Sequence, residues 1–200
     1  MEVGTGVHFM SSNLVMAGTD ELAFNDHKIV ERNGLKIGLF GIATGLPQSE
    51  KYIEVKDYIV AAKSKIAELR PQVDVLVMML NATRTEFSNN MNEFAGVDYI
   101  FSSRDTGRTR PERAQPDGKP FQYGMGIQGK YIGRFDLKIA NKNKPMIDVT
   151  SSMMMVDIFQ KRLNNLQKKN PDKHCLLYTS DAADATPCLD LGGRRIIKKK

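Results

Sequence analysis

The chain has 200 residues, enough for one domain with a real core, and 41% of them are hydrophobic. Lys and Arg outnumber Asp and Glu by 29 to 23, a surplus of +6 that gives little case for a nucleic-acid partner. No apolar run approaches the roughly 20 residues of a membrane-spanning helix, and the opening Met-Glu-Val-Gly-Thr-Gly has neither the basic nor the apolar region of a signal peptide.

In chain order, residues 8–16 read as a short strand entering the domain. His8 stands alone there, and a solitary histidine is taken as a packing or surface residue rather than a ligand. The runs 28–32 and 35–42 flank Asn33-Gly34, a pair that accepts positive φ at both positions and predicts a hairpin. Gly38 and Gly41 lack the further glycine and the following helix of a dinucleotide fingerprint. After a loop through Pro47, Ile59, Ala62, Ile66 and Leu69 form one apolar stripe, which predicts a helix over 58–70 capped by Asp57 and stopped by Pro71.

Residues 73–80 are almost uniformly apolar, as in a strand covered on both faces. A polar tip at Asn81, a short helix over about 86–93 and a second strand over 99–101 follow. That strand ends in Ser102-Ser103-Arg104-Asp105-Thr106. In an α/β sheet, functional groups collect just beyond the carboxyl ends of the strands, so Asn81 and residues 104–106 are expected side by side at such ends. The loop beyond carries Arg104, Arg108, Arg110 and Arg113, with Asp105 and Glu112 to offset part of the charge. Guanidinium forks suit phosphate or carboxylate, so Arg104, Arg108 and Arg110 are candidate anion ligands, the alternative being a solvated loop.

Phe121-Gln-Tyr-Gly and then 129–139 are expected as the last strands, because Phe135, Leu137 and Ile139 alternate with Arg134, Asp136 and Lys138. Val156, Phe159, Leu163 and Leu166 trace a final amphipathic helix ending at Lys168-Lys169, preceded by three methionines read as packing material. From Cys175 on, the sequence resembles the conceptual translation of a transposase-type sequencing adapter, and residues 175–200 are expected to add nothing to the packed fold. Without their five basic and three acidic residues the balance is 24 to 20, a net +4. Both cysteines, Cys175 and Cys188, lie in that tail, which leaves no disulfide, thiolate site or cysteine nucleophile elsewhere. The expected division is a domain over 1–145, a helical extension over 146–174 and the tail.

Asp74-Val-Leu-Val-Met-Met-Leu-Asn81 and Gly96-Val-Asp-Tyr-Ile-Phe-Ser-Ser-Arg-Asp-Thr106 resemble two late motifs of the calcineurin-like metallophosphatases, in their 5′-nucleotidase branch. Ser12-Asn13-Leu14-Val15, the Gly38/Gly41 strand and Tyr131-x-Gly-x-x-Asp-Leu137 resemble other parts of the same frame. The resemblance implies an α/β fold, a layered β-sandwich flanked by helices, and a C-terminal helix. It also implies an exported or periplasmic parent protein and two divalent metal ions held by Asp, His and Asn. Three histidine positions of the late motifs hold Asn81, Arg104 and Thr106 here, and the early motifs would precede Met1. The expectation is therefore a degenerate, inactive phosphoesterase fragment with no catalytic residue and no metal or cofactor of its own. The alternatives are a module that binds a phosphate-like anion or a partner protein in the old cleft, and a residual hydrolase completed by upstream ligands.

Overall fold

The computed structural model describes residues 9–110, 113, 115, 119–138, 144 and 146–169. His8 and the adapter-like tail lie outside them, as do Pro111, Glu112, Pro116 and Gly118 of the arginine-bearing loop. The described residues fall into two units divided after Ser151.

In the first unit the hairpin forms where Asn33-Gly34 predicts it. Strand β2 (His27–Arg32) runs antiparallel to β3 (Leu35–Ala43), and Asn33 and Gly34 take φ of 50° and 74°. Helix α1 (Tyr58–Leu69) starts at Asp57, whose carboxylate accepts the Ile59 and Val60 amides at 2.9 and 3.0 Å. Asp57→Ala should cost about 1 kcal/mol in a urea titration, the usual loss when two initial N–H groups lose their side-chain acceptor. Pro71 sits inside a 3-10 turn, Arg70–Gln72, that ends the helix. Then come β5 (Val75–Asn81), α2 (Arg84–Ser88), β6 (Tyr99–Ser103) and β7 (Phe121–Gly124).

The five strands make one sheet in the order β2-β3-β5-β6-β7, with every pairing from β3 to β7 parallel. Alternation along β5 divides its side chains between two cores. Leu76, Met78 and Leu80 face Ala62, Ile66, Leu69, Phe87 and Phe94, whereas Val75 and Val77 join Tyr99 and Phe121. Two short strands, β1 (Leu14–Met16) and β4 (Ile53–Val55), form a separate antiparallel ladder. The α/β class and the flanking helices stand as the sequence implied.

Two elements differ from expectation. The single helix foreseen over 86–93 is α2 followed by a 3-10 turn, Met91–Phe94. Asn90 is the cause: its side-chain amide donates to the Glu86 carbonyl at 3.0 Å, taking the acceptor that its own backbone N–H would need to continue the helix. Its backbone N–H turns to Phe87 O instead, at 3.0 Å. The strand expected over 129–139 is absent from 131–138, which join no ladder. Phe135 instead lies across the sheet, its ring centroid 4.7 Å from Phe101 and 4.6 Å from Tyr123. Leu137 stays 37% exposed, so the alternation marks a single ring, Phe135, packed on the sheet and not a strand within it.

Helix α3 (Thr150–Lys169), all but its first two residues in the second unit, includes the three methionines and ends at the expected lysines. No helix among the described residues is long and apolar enough to cross a membrane.

Candidate functional site

Parallel register sets the site. Ala43 of β3, Asn81 of β5 and Ser103 of β6 lie opposite one another at the carboxyl ends of adjacent strands. Arg104 follows immediately, so it and Asn81 stand on neighbouring strand ends. Arg104 takes φ of 63°, a left-handed conformation uncommon for a side chain of its kind. Its Nη1 donates to Thr44 Oγ1 at 3.3 Å, and that hydroxyl donates to Glu86 Oε2 at 2.8 Å. Glu86 also closes a capping box on α2, accepting the Thr83 amide at 2.7 Å. The Thr83 N–H, the hydroxyls of Thr44 and Thr83 and the charge on Arg104 together hold the Glu86 carboxyl below its ordinary value.

Asp105, the loop's carboxylate, is buried and turned away from this group. Its Oδ2 accepts Nε and Nη2 of Arg84 at 3.1 and 3.0 Å, and its Oδ1 accepts the Gly107 amide at 2.9 Å. Thr106 is exposed. Arg108 is engaged elsewhere, its guanidinium 4.3 Å over the Tyr131 ring, and Arg110 is exposed. Arg104 and Arg108 thus have different partners, Thr44 and Tyr131. Thr44 and Glu86 were not foreseen as site residues. The Thr83-x-x-Glu86 box was readable, but nothing local says that its carboxylate meets a residue 42 positions away.

The same strand arrangement recurs in the sulfate thiohydrolase SoxB from Thermus thermophilus, solved with glycerol. The two are 16% identical, with a TM-score of 0.53 over 62% of this chain and 24% of that one. The chain shares part of the fold of that hydrolase. A putative 5′-nucleotidase from Staphylococcus aureus is similar at 9% identity and TM-score 0.48, covering 60% of this chain and 27% of its own. The NAD nucleotidase of Haemophilus influenzae gives 16% and 0.42, over 54% and 23%. This chain therefore spans about a quarter of the length of the structures it matches. No protein-family model and no curated protein matches the sequence.

The metallophosphatase resemblance implies two divalent ions at these strand ends, and the residues present do not fit them. Asn81 offers at most a carbonyl oxygen, Arg104 brings a positive charge that cannot ligate, and the Asp105 carboxylate is held by Arg84.

A different group, where the start of β2 meets α1, has the donor chemistry of a metal site. Asp26, His27 and Glu68 place one ligand atom each within 4.8 Å of one another. A cation of the protein's own already sits there. The nearly buried Lys65 ammonium donates to Asp26 Oδ2, and to Glu68 Oε2 at 2.7 Å, while His27 Nδ1 lies 3.3 Å from the same Asp26 oxygen. Burial pushes the Asp26 carboxyl up, but hydrogen bonds from Lys65 and His27 outweigh it and leave the group below its ordinary value. Burial likewise lowers Lys65, and its bonds to Asp26 and Glu68 outweigh that and raise it.

The Asp26 share of stability is thus complete above its unfolded value of 3.8 and is lost as pH falls through the lower folded value. The Lys65 share is complete below 10.5 and lost as pH rises through its raised folded value. Lys65→Met should destabilise by about 2 kcal/mol at neutral pH, because it strands two carboxylates. Urea midpoints measured against pH should show the gap to wild type narrowing below pH 3.8.

Proposed function

We propose that this chain is a metallophosphatase-type domain without hydrolase activity of its own, its late ligand positions Asn81, Arg104 and Thr106 no longer serving metal. The observation that carries this is the Arg104–Thr44–Glu86 network at the strand ends. A divalent ion about 4 Å from the guanidinium would meet a repulsion of ~8 kcal/mol at an effective dielectric near 20, beyond what one amide oxygen offsets. Incubation of the full chain with a mononucleotide panel and manganese or zinc should release no phosphate. Metal-dependent turnover abolished by a chelator would overturn the proposal and favour a residual hydrolase.

A second reading, an anion-binding module, is favoured by the exposure of the Arg104 and Arg110 side chains. Stacking of Arg108 on Tyr131 leaves its N–H edge free to take part. Calorimetry with inorganic phosphate should show weak binding in the wild type and its loss in Arg104→Ala. Equal heats from both proteins would leave the loop a solvated surface, and a protein partner would then be the remaining use of the cleft.

A further inference from the structure

Helix α3 keeps its apolar side chains in contact with water. Val156, Phe159 and Leu163 are 64%, 54% and 42% exposed, and none of the 20 residues of the helix is buried. An amphipathic helix draws most of its stability from packing that apolar face, so the spacing along it shows what kind of surface it is made to meet. Val156 and Leu163 are seven residues apart, as are Phe159 and Leu166, and the two series are offset by three. These are the a and d positions of two consecutive heptads. Gln160 and Gln167 border the stripe at e, and Arg162 and Lys169 border it at g, which leaves the narrow seam of a coiled coil. Arg162 already leans along that seam, its guanidinium 5.9 Å from the Phe159 ring.

A lipid surface and a second helix place different demands on the charges. The helix carries Lys161, Arg162, Lys168 and Lys169 against Asp157. Lys161 and Lys168 fall at f, on the back of the helix opposite the seam. There they face water in a coiled coil, but could not reach the phosphates of a bilayer under the apolar stripe. A parallel pair sets g of one helix against e of the next heptad on the other, so Arg162 meets the partner's Gln167 and Met155 meets the partner's Gln160. No like charges oppose each other at those contacts. An antiparallel pair sets Arg162 against the partner's Arg162, and like charges so placed repel. Val156 at a and Leu166 at d also follow the two-stranded preference. We infer that α3 is a self-association surface, pairing in parallel with α3 of a second copy of this chain. The inference is independent of what the strand ends bind. Two heptads fall short of the roughly three or four of a self-sufficient coiled coil, so the dimer belongs to high protein concentration.

Sedimentation equilibrium of the full chain from about 5 to 500 μM should show monomer passing to dimer and no further. Leu163→Glu, in the seam, should weaken association about tenfold or more, whereas Ile158→Glu, equally exposed but at c, should leave it unchanged. Gln167→Glu gives Arg162 an acidic partner across the pair, so association should tighten about threefold at low salt and lose that gain in about 1 M salt. In a chain carrying Cys175→Ser and Cys188→Ser, Val156→Cys should cross-link to its own copy on mild oxidation, because position 156 faces itself only in a parallel pair. A monomer at every concentration, or association indifferent to Leu163→Glu, overturns the inference. A dimer that Leu163→Glu dissociates but Val156→Cys never cross-links overturns the parallel arrangement. A monomer that cosediments with phosphatidylserine vesicles, and ceases to in Leu163→Glu, overturns the inference in favour of a lipid surface.

Discussion

Asn13→Ala is expected to lower the unfolding free energy by about 3 kcal/mol, more than a typical polar truncation. Asn13 is 1% exposed. Its amide nitrogen donates to the carbonyls of Ala43 and Lys56 at 2.7 and 3.1 Å, and its amide oxygen accepts the Ala43 N–H at 2.9 Å. One side chain thus bonds both backbone groups of the last residue of β3, as a neighbouring strand would. Alanine takes this partner from the buried N–H and C=O of Ala43 and from the part-buried Lys56 carbonyl, each loss costing on the order of 1 kcal/mol. Asn13→Asp keeps the acceptor but loses both donors, so it should fall well below wild type as well. Urea unfolding of the three proteins checks the order. A loss under 1 kcal/mol for alanine would mean that water or a shifted backbone replaces the side chain.

Arg70→Ala should cost a similar amount, about 3 kcal/mol, for a different reason. Its guanidinium binds the carbonyls of Val73 and Asp74 through Nη2, both at 2.8 Å, and Asp98 Oδ2 through Nη1 at 2.7 Å. The same Asp98 oxygen accepts the Leu76 amide at 2.7 Å. The chain entering β5 and the chain entering β6 are therefore fastened to the end of α1 by one planar group. Arg70→Lys cannot present that fork and should recover little of the loss. Asp98→Asn keeps an acceptor for Leu76 and should cost less than Arg70→Ala. A double-mutant cycle between Arg70 and Asp98 isolates their share, and a coupling near zero would assign the loss to the carbonyls alone.

Local chemistry explains which parts of this fold were readable in advance. Asn33-Gly34 marks its turn because few residues tolerate two positive φ values, and the α1 stripe and Asp57 cap are set within a dozen residues. The uniform apolarity of β5 matches its burial on both faces from Val75 to Met78, although Met79 is 38% exposed. The strand β4 went unseen because three residues, Ile53–Val55, are too few for a period. Arg104 and Asn81 could be placed at strand ends by pattern and resemblance together, but the partners of Arg104 could not. Thr44 lies 60 residues from it, in a stretch that reads only as loop. Phe135 misled for a related reason, since a short alternation does not separate one ring packed on a sheet from a ladder.

Parallel order in the sheet bears on how the chain reaches this structure. The hairpin around Asn33 is the sheet's one local pairing, and such hairpins close in roughly 1–10 μs. Each of the pairings β3–β5, β5–β6 and β6–β7 must wait for an intervening helix or loop to bring distant residues together before any ladder bond forms. Folding speed should then follow the closing of those crossovers, with β3 as the first template and β7 the last strand to arrive. Until β7 docks, the open edge of β6 is the place where a second unfolded chain can pair, so refolding yield should fall as protein concentration rises.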